Sequence, residues 1–199
     1  MNPKLIIIAG MPATGKSTVA RKIAAAFSFP ILEKDDIKEE MFDTIGYADL
    51  TQKRALDAAA TNILLRNAET LLKSGVSLIL VNNFDSAMAP TVQSMIDRCG
   101  CRCVTVFLKG DPEVLYQRYV ARDKKNSRHL GHTFIDRYPP QPTDPVGLPM
   151  TRQYFADRFE KHGMADFKLT GARIDVDATY PQTIDVAALI QNIRTALEN

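Results

Sequence analysis

What this sequence has little of narrows its function first. None of its 199 residues belongs to a run approaching the roughly 20 consecutive apolar residues of a membrane span. Its formal net charge is only +2, too small for a broad basic track, so any anion-binding charge must be local. An apolar run begins within a few residues of the N-terminus, with no charged leader or cleavage signal ahead of it. A soluble, cytoplasmic protein is expected. Cysteine is scarce and clustered at Cys99, Cys101 and Cys103. No histidine or fourth cysteine lies close by, and Cys101 and Cys103 open the apolar run Val104–Leu108, so they read as small core residues of a strand. The 45% hydrophobic content suffices for one core, and neither a repeat nor a second domain is visible, so residues 1–199 read as one domain.

The chain is organised around its first strand and the turn that follows. Leu5 to Ala9 is apolar, and Gly10-Met11-Pro12-Ala13-Thr14-Gly15-Lys16-Ser17 fits G-x-x-x-x-G-K-[ST] at every fixed position. Thr18 and a helical pattern (Val19, Ala20, Ile23, Ala24, Phe27) come next, which completes a strand, phosphate loop and helix in the required order. Gly10 and Gly15 permit backbone turns that a Cβ would block, so successive N–H groups point into one concavity at a positive helix end. Lys16 carries a compact positive charge to the β- and γ-phosphates, and the Ser17 hydroxyl suits Mg²⁺.

A second short strand, Phe29–Leu32, runs into Glu33-Lys34-Asp35-Asp36-Ile37-Lys38. Ligands of open α/β sheets sit at the carboxyl ends of the strands, so these acids belong beside the phosphate loop. One of Asp35 and Asp36 is expected to meet an attacking hydroxyl, and the other to cap a helix starting near Ile37. A long helix over 49–74, with Asp49 as N-cap and Gly75 as stop, precedes a strand over Val76–Val81. Asn82-Asn83 follows where an acid often helps hold Mg²⁺. Beyond the cysteine strand, Asp111 and Pro112 start a helix carrying Arg118 and Arg122 four residues apart, guanidinium groups suited to phosphate oxygens. Residues 123–149 are polar and rich in proline (Pro139, Pro140, Pro142, Pro145, Pro149) and hold Arg128, His129, His132 and Arg137, the composition of a lid. A helix over 150–161, a strand over 173–176 and a closing helix with Val186, Leu189, Ile190, Ile193 and Leu197 end the chain.

Together the glycine loop with Thr18, the Lys34–Lys38 stretch and the Asp111–Arg122 helix resemble the P-loop kinases of the small-molecule type, with the zeta-toxin, polynucleotide kinase and chloramphenicol phosphotransferase group the nearest likeness. The resemblance implies an α/β three-layer sandwich, with a five-stranded parallel sheet of order 2-3-1-4-5, helices on both faces and a lid after strand four. It implies transfer of a phosphoryl group from Mg²⁺-ATP to a hydroxyl of a small molecule, nucleotide sugar, nucleoside or polynucleotide. Lys16, Asp35 and Arg122 would be catalytic, with Asp35 the base and Asp36 its runner-up. Gly10, Met11, Pro12, Ala13, Thr14, Gly15, Lys16, Ser17, Thr18, Arg118, Arg122 and Thr179 would hold the nucleotide, and Ser17 the metal. Asp35, Asp36, Lys38 and Arg128 would face the acceptor. Near-neutral charge argues against a long nucleic acid partner. Two alternatives remain open: an ATP-binding regulatory protein weakened by Asn82, and a GTPase-type switch built on Asp43-Thr44-Ile45-Gly46.

Overall fold

The computed structural model describes residues 2–124, 128–133, 135–142, 150–161 and 163–198. Its elements alternate along the chain: β1 (Lys4–Gly10), α1 (Lys16–Phe27), β2 (Ile31–Glu33), α2 (Lys34–Ile45), α3 (Leu50–Lys73), β3 (Leu78–Val81), α4 (Ala89–Cys99), β4 (Arg102–Lys109), α5 (Pro112–Lys124), α6 (Arg152–Glu160), β5 (Ala172–Asp177) and α7 (Val186–Glu198). The sheet order is β2-β3-β1-β4-β5, and every pairing is parallel. Of the expected lid, residues 125–127, 134 and 143–149, which include Pro145 and Pro149, lie outside the described residues.

Strand side chains alternate between two buried faces, which is why β1, β3 and β4 read as unbroken apolar runs. Leu5, Ile7 and Ala9 join Leu78, Leu80 and Phe107 under Leu64, Ala68 and Leu72 of α3 and Val92, Met95 and Ile96 of α4. Ile6 and Ile8 join Ile79, Val81, Val104 and Val106 under Val19, Ala20 and Ile23 of α1 and Leu189, Ile193 and Leu197 of α7. Cys99, Cys101 and Cys103 pack against the first of these clusters, and burial raises all three thiols, Cys101 to about 11. Low thiolate content makes them poor nucleophiles, in keeping with a packing role.

Some boundaries differ from the sequence reading: β2 spans Ile31–Glu33 and α2 starts at Lys34, three residues ahead of Ile37. The third strand starts at Leu78, because the Val76 amide still closes α3 by donating to Leu71 O (2.9 Å), next to Gly75 at φ +82°. On the long helix, Asn67 lies on the solvent face. It is exposed four residues beyond the exposed Ile63, while Ala60, Leu64, Ala68 and Leu72 are the buried positions.

Candidate active site

Gly10 leaves β1 at φ +126°, and a Cβ there would lie 1.9 Å from Leu108 O. Only glycine passes this point, which turns the chain so that the Met11 amide reaches Leu108 O at 3.0 Å. Ala13 then sits in the left-handed region at φ +64°, and Gly15 at φ +84° caps α1. The loop rests on a small cluster of its own, in which Met11 and Ala13 pack with Leu115 and Tyr119 of α5 and with Met150 and Phe155. Thr14 Oγ1 donates to Met11 O (2.8 Å), and Lys16 Nζ donates to Gly10 O (3.1 Å) and Met11 O (2.8 Å). Burial pushes the Lys16 ammonium down to about 8, with Asp35 and Glu33 opposing and Arg122 and Arg128 adding to the fall. A cation so poorly solvated has much to gain from an arriving phosphate.

The acids at the end of β2 do not play the parts expected of them as caps. Glu33 takes the N-cap position of α2 without a side-chain cap bond, and Asp35 and Asp36 lie in the first turn, where the helix dipole favours their charge. Both face the cleft, as do Ser17 and Thr18. Ser17 Oγ donates to the Glu33 carboxylate. Sequence reasoning missed Glu33; its signal was an acid at the last strand position, two residues before Asp35. Asn82, the position expected to matter for metal, is buried away from the cleft: its Oδ1 accepts from the Asn83 amide (2.8 Å) and its Nδ2 points at Met88 Sδ (3.8 Å). Asn83 lines the cleft instead, its Oδ1 buried without a donor among the described residues.

The lysines of α2 turn the other way. Lys34 and Lys38 both bind Asp57 of α3, at 3.0 and 2.8 Å, and Lys38 also lies over the Phe42 ring. Lys38, expected to face the acceptor, is therefore anchored in the wall behind it. Burial opposes charge on Asp35, but His132 where its ring is protonated, and Lys38, Arg128 and Lys34 throughout, outweigh it and hold that carboxyl below the usual range.

Arg122 and Arg128 reach the cleft from the end of α5 and the segment beyond it. Arg128 donates to Tyr119 Oη (2.9 Å) and pairs with Asp123 (3.8 Å), and both guanidinium groups lie over the Tyr119 ring. Beyond α5, His129, His132 and Tyr138 dock on α2. Tyr47 and Tyr138 exchange two backbone hydrogen bonds (2.9 and 2.8 Å), and Phe42 sits among Tyr47, His129, His132 and Tyr138. Each histidine meets an acid of α2. His132 Nε2 donates to Glu39 (2.8 Å); His129 Nε2 donates to Asp43 (3.0 Å) while its Nδ1 accepts from the Gly131 amide (3.0 Å). Burial pushes His132 down to about 3, against Asp35, so its ring is neutral at pH 7. Asp43 to Gly46, the segment a switch protein would use, closes α2 beside these rings and not at the phosphate loop.

Arg118 does not line the cleft. It braces the loop from behind, donating to Ala13 O (2.8 Å), Ala178 O (3.3 Å) and Thr179 O (2.5 Å). Thr179 is likewise engaged, its Oγ1 accepting from the Asp111 amide (2.9 Å).

The cleft, about 520 Å³, thus brings Lys16, Ser17, Asp35, Asp36, Arg122 and Arg128 together, and adds Arg21, Glu33, Glu39, Asn83, His129 and His132. A larger hollow of about 760 Å³ opens between α4 and α7 at the amino ends of β4 and β5. Sheets of this kind bind ligands at the opposite edge, so the smaller cleft is the candidate site.

A phosphate loop at the end of the central strand, an acid after β2 and arginines after β4 define a P-loop fold of the kinase kind. Within that class, this chain belongs to the AAA domain family, which matches residues 5–135. It is 31% identical to a candidate kinase from Chloroflexus aurantiacus j-10-fl, covering 99% of this chain and 100% of that one with a TM-score of 0.82. A gluconokinase from Sinorhizobium meliloti 1021 (17% identity, 99% and 93% covered, TM-score 0.57) shares the fold. So does a shikimate kinase from Acinetobacter baumannii in complex with shikimate (16% identity, 97% and 94% covered, TM-score 0.59). No curated protein matches the sequence. Among the described residues, no helix is long and apolar enough to cross a membrane.

Proposed function

We propose that this protein moves the γ-phosphoryl group of ATP to a hydroxyl of a small acceptor. The single observation behind this reading is that Asp35 and Arg122 share one cleft with Lys16 and Ser17 of the phosphate loop. The loop amides and Lys16 would grip the β- and γ-phosphates, and Arg122 would meet charge developing on the transferring group. Asp35, ionised at neutral pH, would accept the acceptor's hydroxyl proton as the new P–O bond forms and ADP departs. Arg118 and Thr179 would serve the nucleotide by holding the loop and the turn after β5 in place.

Mg²⁺ fits the residues present: Ser17 Oγ and the Glu33 carboxylate form an oxygen-only pair beside the loop, as a hard cation requires. Ser17 would ligate it and Glu33 would orient that ligand; the ion when bound would neutralise phosphate charge. The zeta-toxin group is one source of acceptors to compare, along with the sugar and shikimate kinases.

Asp35→Asn tests the assignment. It should leave ATP binding by calorimetry nearly intact and slow transfer by about 10²–10⁴-fold. Normal turnover by that variant would remove Asp35 as the base.

A further inference from the structure

We infer that the acceptor is a small polyhydroxylated molecule that carries no anionic group, with amino sugars and neutral polyols as the class. The inference rests on the kinase reading above. Three features of the cleft beyond the phosphate loop support it. First, the side chains that α2 presents there, Asp35, Asp36 and Glu39, accept hydrogen bonds and are acidic. Secondly, the cations of the same helix are withdrawn, since Lys34 and Lys38 both end on Asp57 of α3. Thirdly, the Asn83 amide oxygen is buried against the cleft with no donor among the described residues. An orphan acceptor beside acidic side chains is satisfied by O–H or N–H groups and by nothing anionic.

The other polar groups of this half do not reverse that balance. His132 is neutral and gives its N–H to Glu39, and the His129 N–H goes to Asp43. Arg128 is held by Tyr119 and Asp123. Arg21 lies on the Glu33 side, where its charge acts on that carboxylate. A carboxylate or phosphate on the acceptor would approach Asp35, Asp36 and Glu39 with no α2 cation to meet it. Hydroxyl and ammonium groups find acceptors at each of these positions.

The test uses the full chain. Binding of the non-hydrolysable analogue adenylyl imidodiphosphate with Mg²⁺ is measured first by calorimetry. ADP release is then followed with D-glucosamine, myo-inositol, D-gluconate and shikimate at equal concentration, extended to a set of neutral polyols and amino sugars. Stimulation by members of the neutral or amino class, with gluconate and shikimate at least tenfold poorer in kcat/KM, is expected. Glu39→Gln should raise the KM for an amino sugar about tenfold and change kcat much less, a loss of about 1.4 kcal/mol in binding. Analogue binding with gluconate or shikimate preferred overturns the inference and leaves the kinase reading standing. Analogue binding with no neutral or amino acceptor active also overturns it. Failure of the analogue to bind removes the kinase reading itself.

Discussion

Lys16 is held where its charge is poorly solvated, and that has a measurable price. Its ammonium titrates near 8 in the folded chain and at the ordinary 10.5 when unfolded. At 1.36 kcal/mol per pH unit, this difference corresponds to about 3 kcal/mol that the protonated lysine takes from stability. The sign follows from proton counting. Between pH 8 and 10.5 the unfolded chain holds a proton on Lys16 that the folded chain has released, so stability from this group rises with pH across that window. Below pH 8 both states are protonated and the cost is constant. Other groups titrate in the same range, among them Lys53, which burial also lowers to about 8, and the cysteines. Comparison with Lys16→Met cancels them. Urea unfolding of both proteins at pH 7 and pH 10 should find wild type gaining about 2–3 kcal/mol on the variant between the two pH values. At pH 7, Mg²⁺-ATP at a hundredfold excess over Kd should stabilise wild type by about 2.7 kcal/mol and the methionine variant hardly at all. An equal pH slope in the two proteins would refute the reasoning, because Lys16 would then be as well solvated folded as unfolded.

The two loop glycines should separate strain from collision. Gly10→Ala meets Leu108 O at 1.9 Å, whereas nothing lies within 4 Å of a Cβ at Gly15, so thermal melts should show Gly10→Ala losing about 1–3 kcal/mol more than Gly15→Ala. Equal losses would mean that the left-handed backbone alone matters. Glu33→Gln should raise the Mg²⁺ concentration for half-maximal activity by about 10–100-fold, read from a magnesium titration at fixed ATP; an unchanged requirement removes Glu33 from the metal. A Cβ at Gly131 would come 2.2 Å from Phe42 Cδ2, so Gly131→Ala should loosen the segment over α2 and speed hydrogen exchange at the Tyr138 amide, which binds Tyr47 O. Unchanged protection there would mean that the segment is not held by this packing.

Local patterns decided most of the architecture in advance. The β1, β3 and β4 runs are apolar because both faces of a parallel sheet are covered, and that property is written in consecutive residues. Asp111 caps α5 through the amides of Glu113 and Val114 (2.9 and 3.0 Å), a signal contained in three residues. The phosphate loop is likewise one continuous stretch, so its strand, turn and helix were legible together.

Side-chain partners across elements were decided only by the tertiary structure. Strand parity at the end of β3 turns Asn82 inward and Asn83 to the cleft, and composition cannot choose between adjacent identical residues. Glu33 meets Ser17 because the short β2 ends level with the loop, although β3 lies between it and β1. Lys38, placed by sequence beside the acids after β2, ends on Asp57, 19 residues further on. His129 and His132 found their acids on α2 more than 80 residues earlier. Backbone form follows from near neighbours, where sterics and hydrogen bonding act within a turn. The charge state and aim of a site follow from groups that only folding brings within a few ångströms.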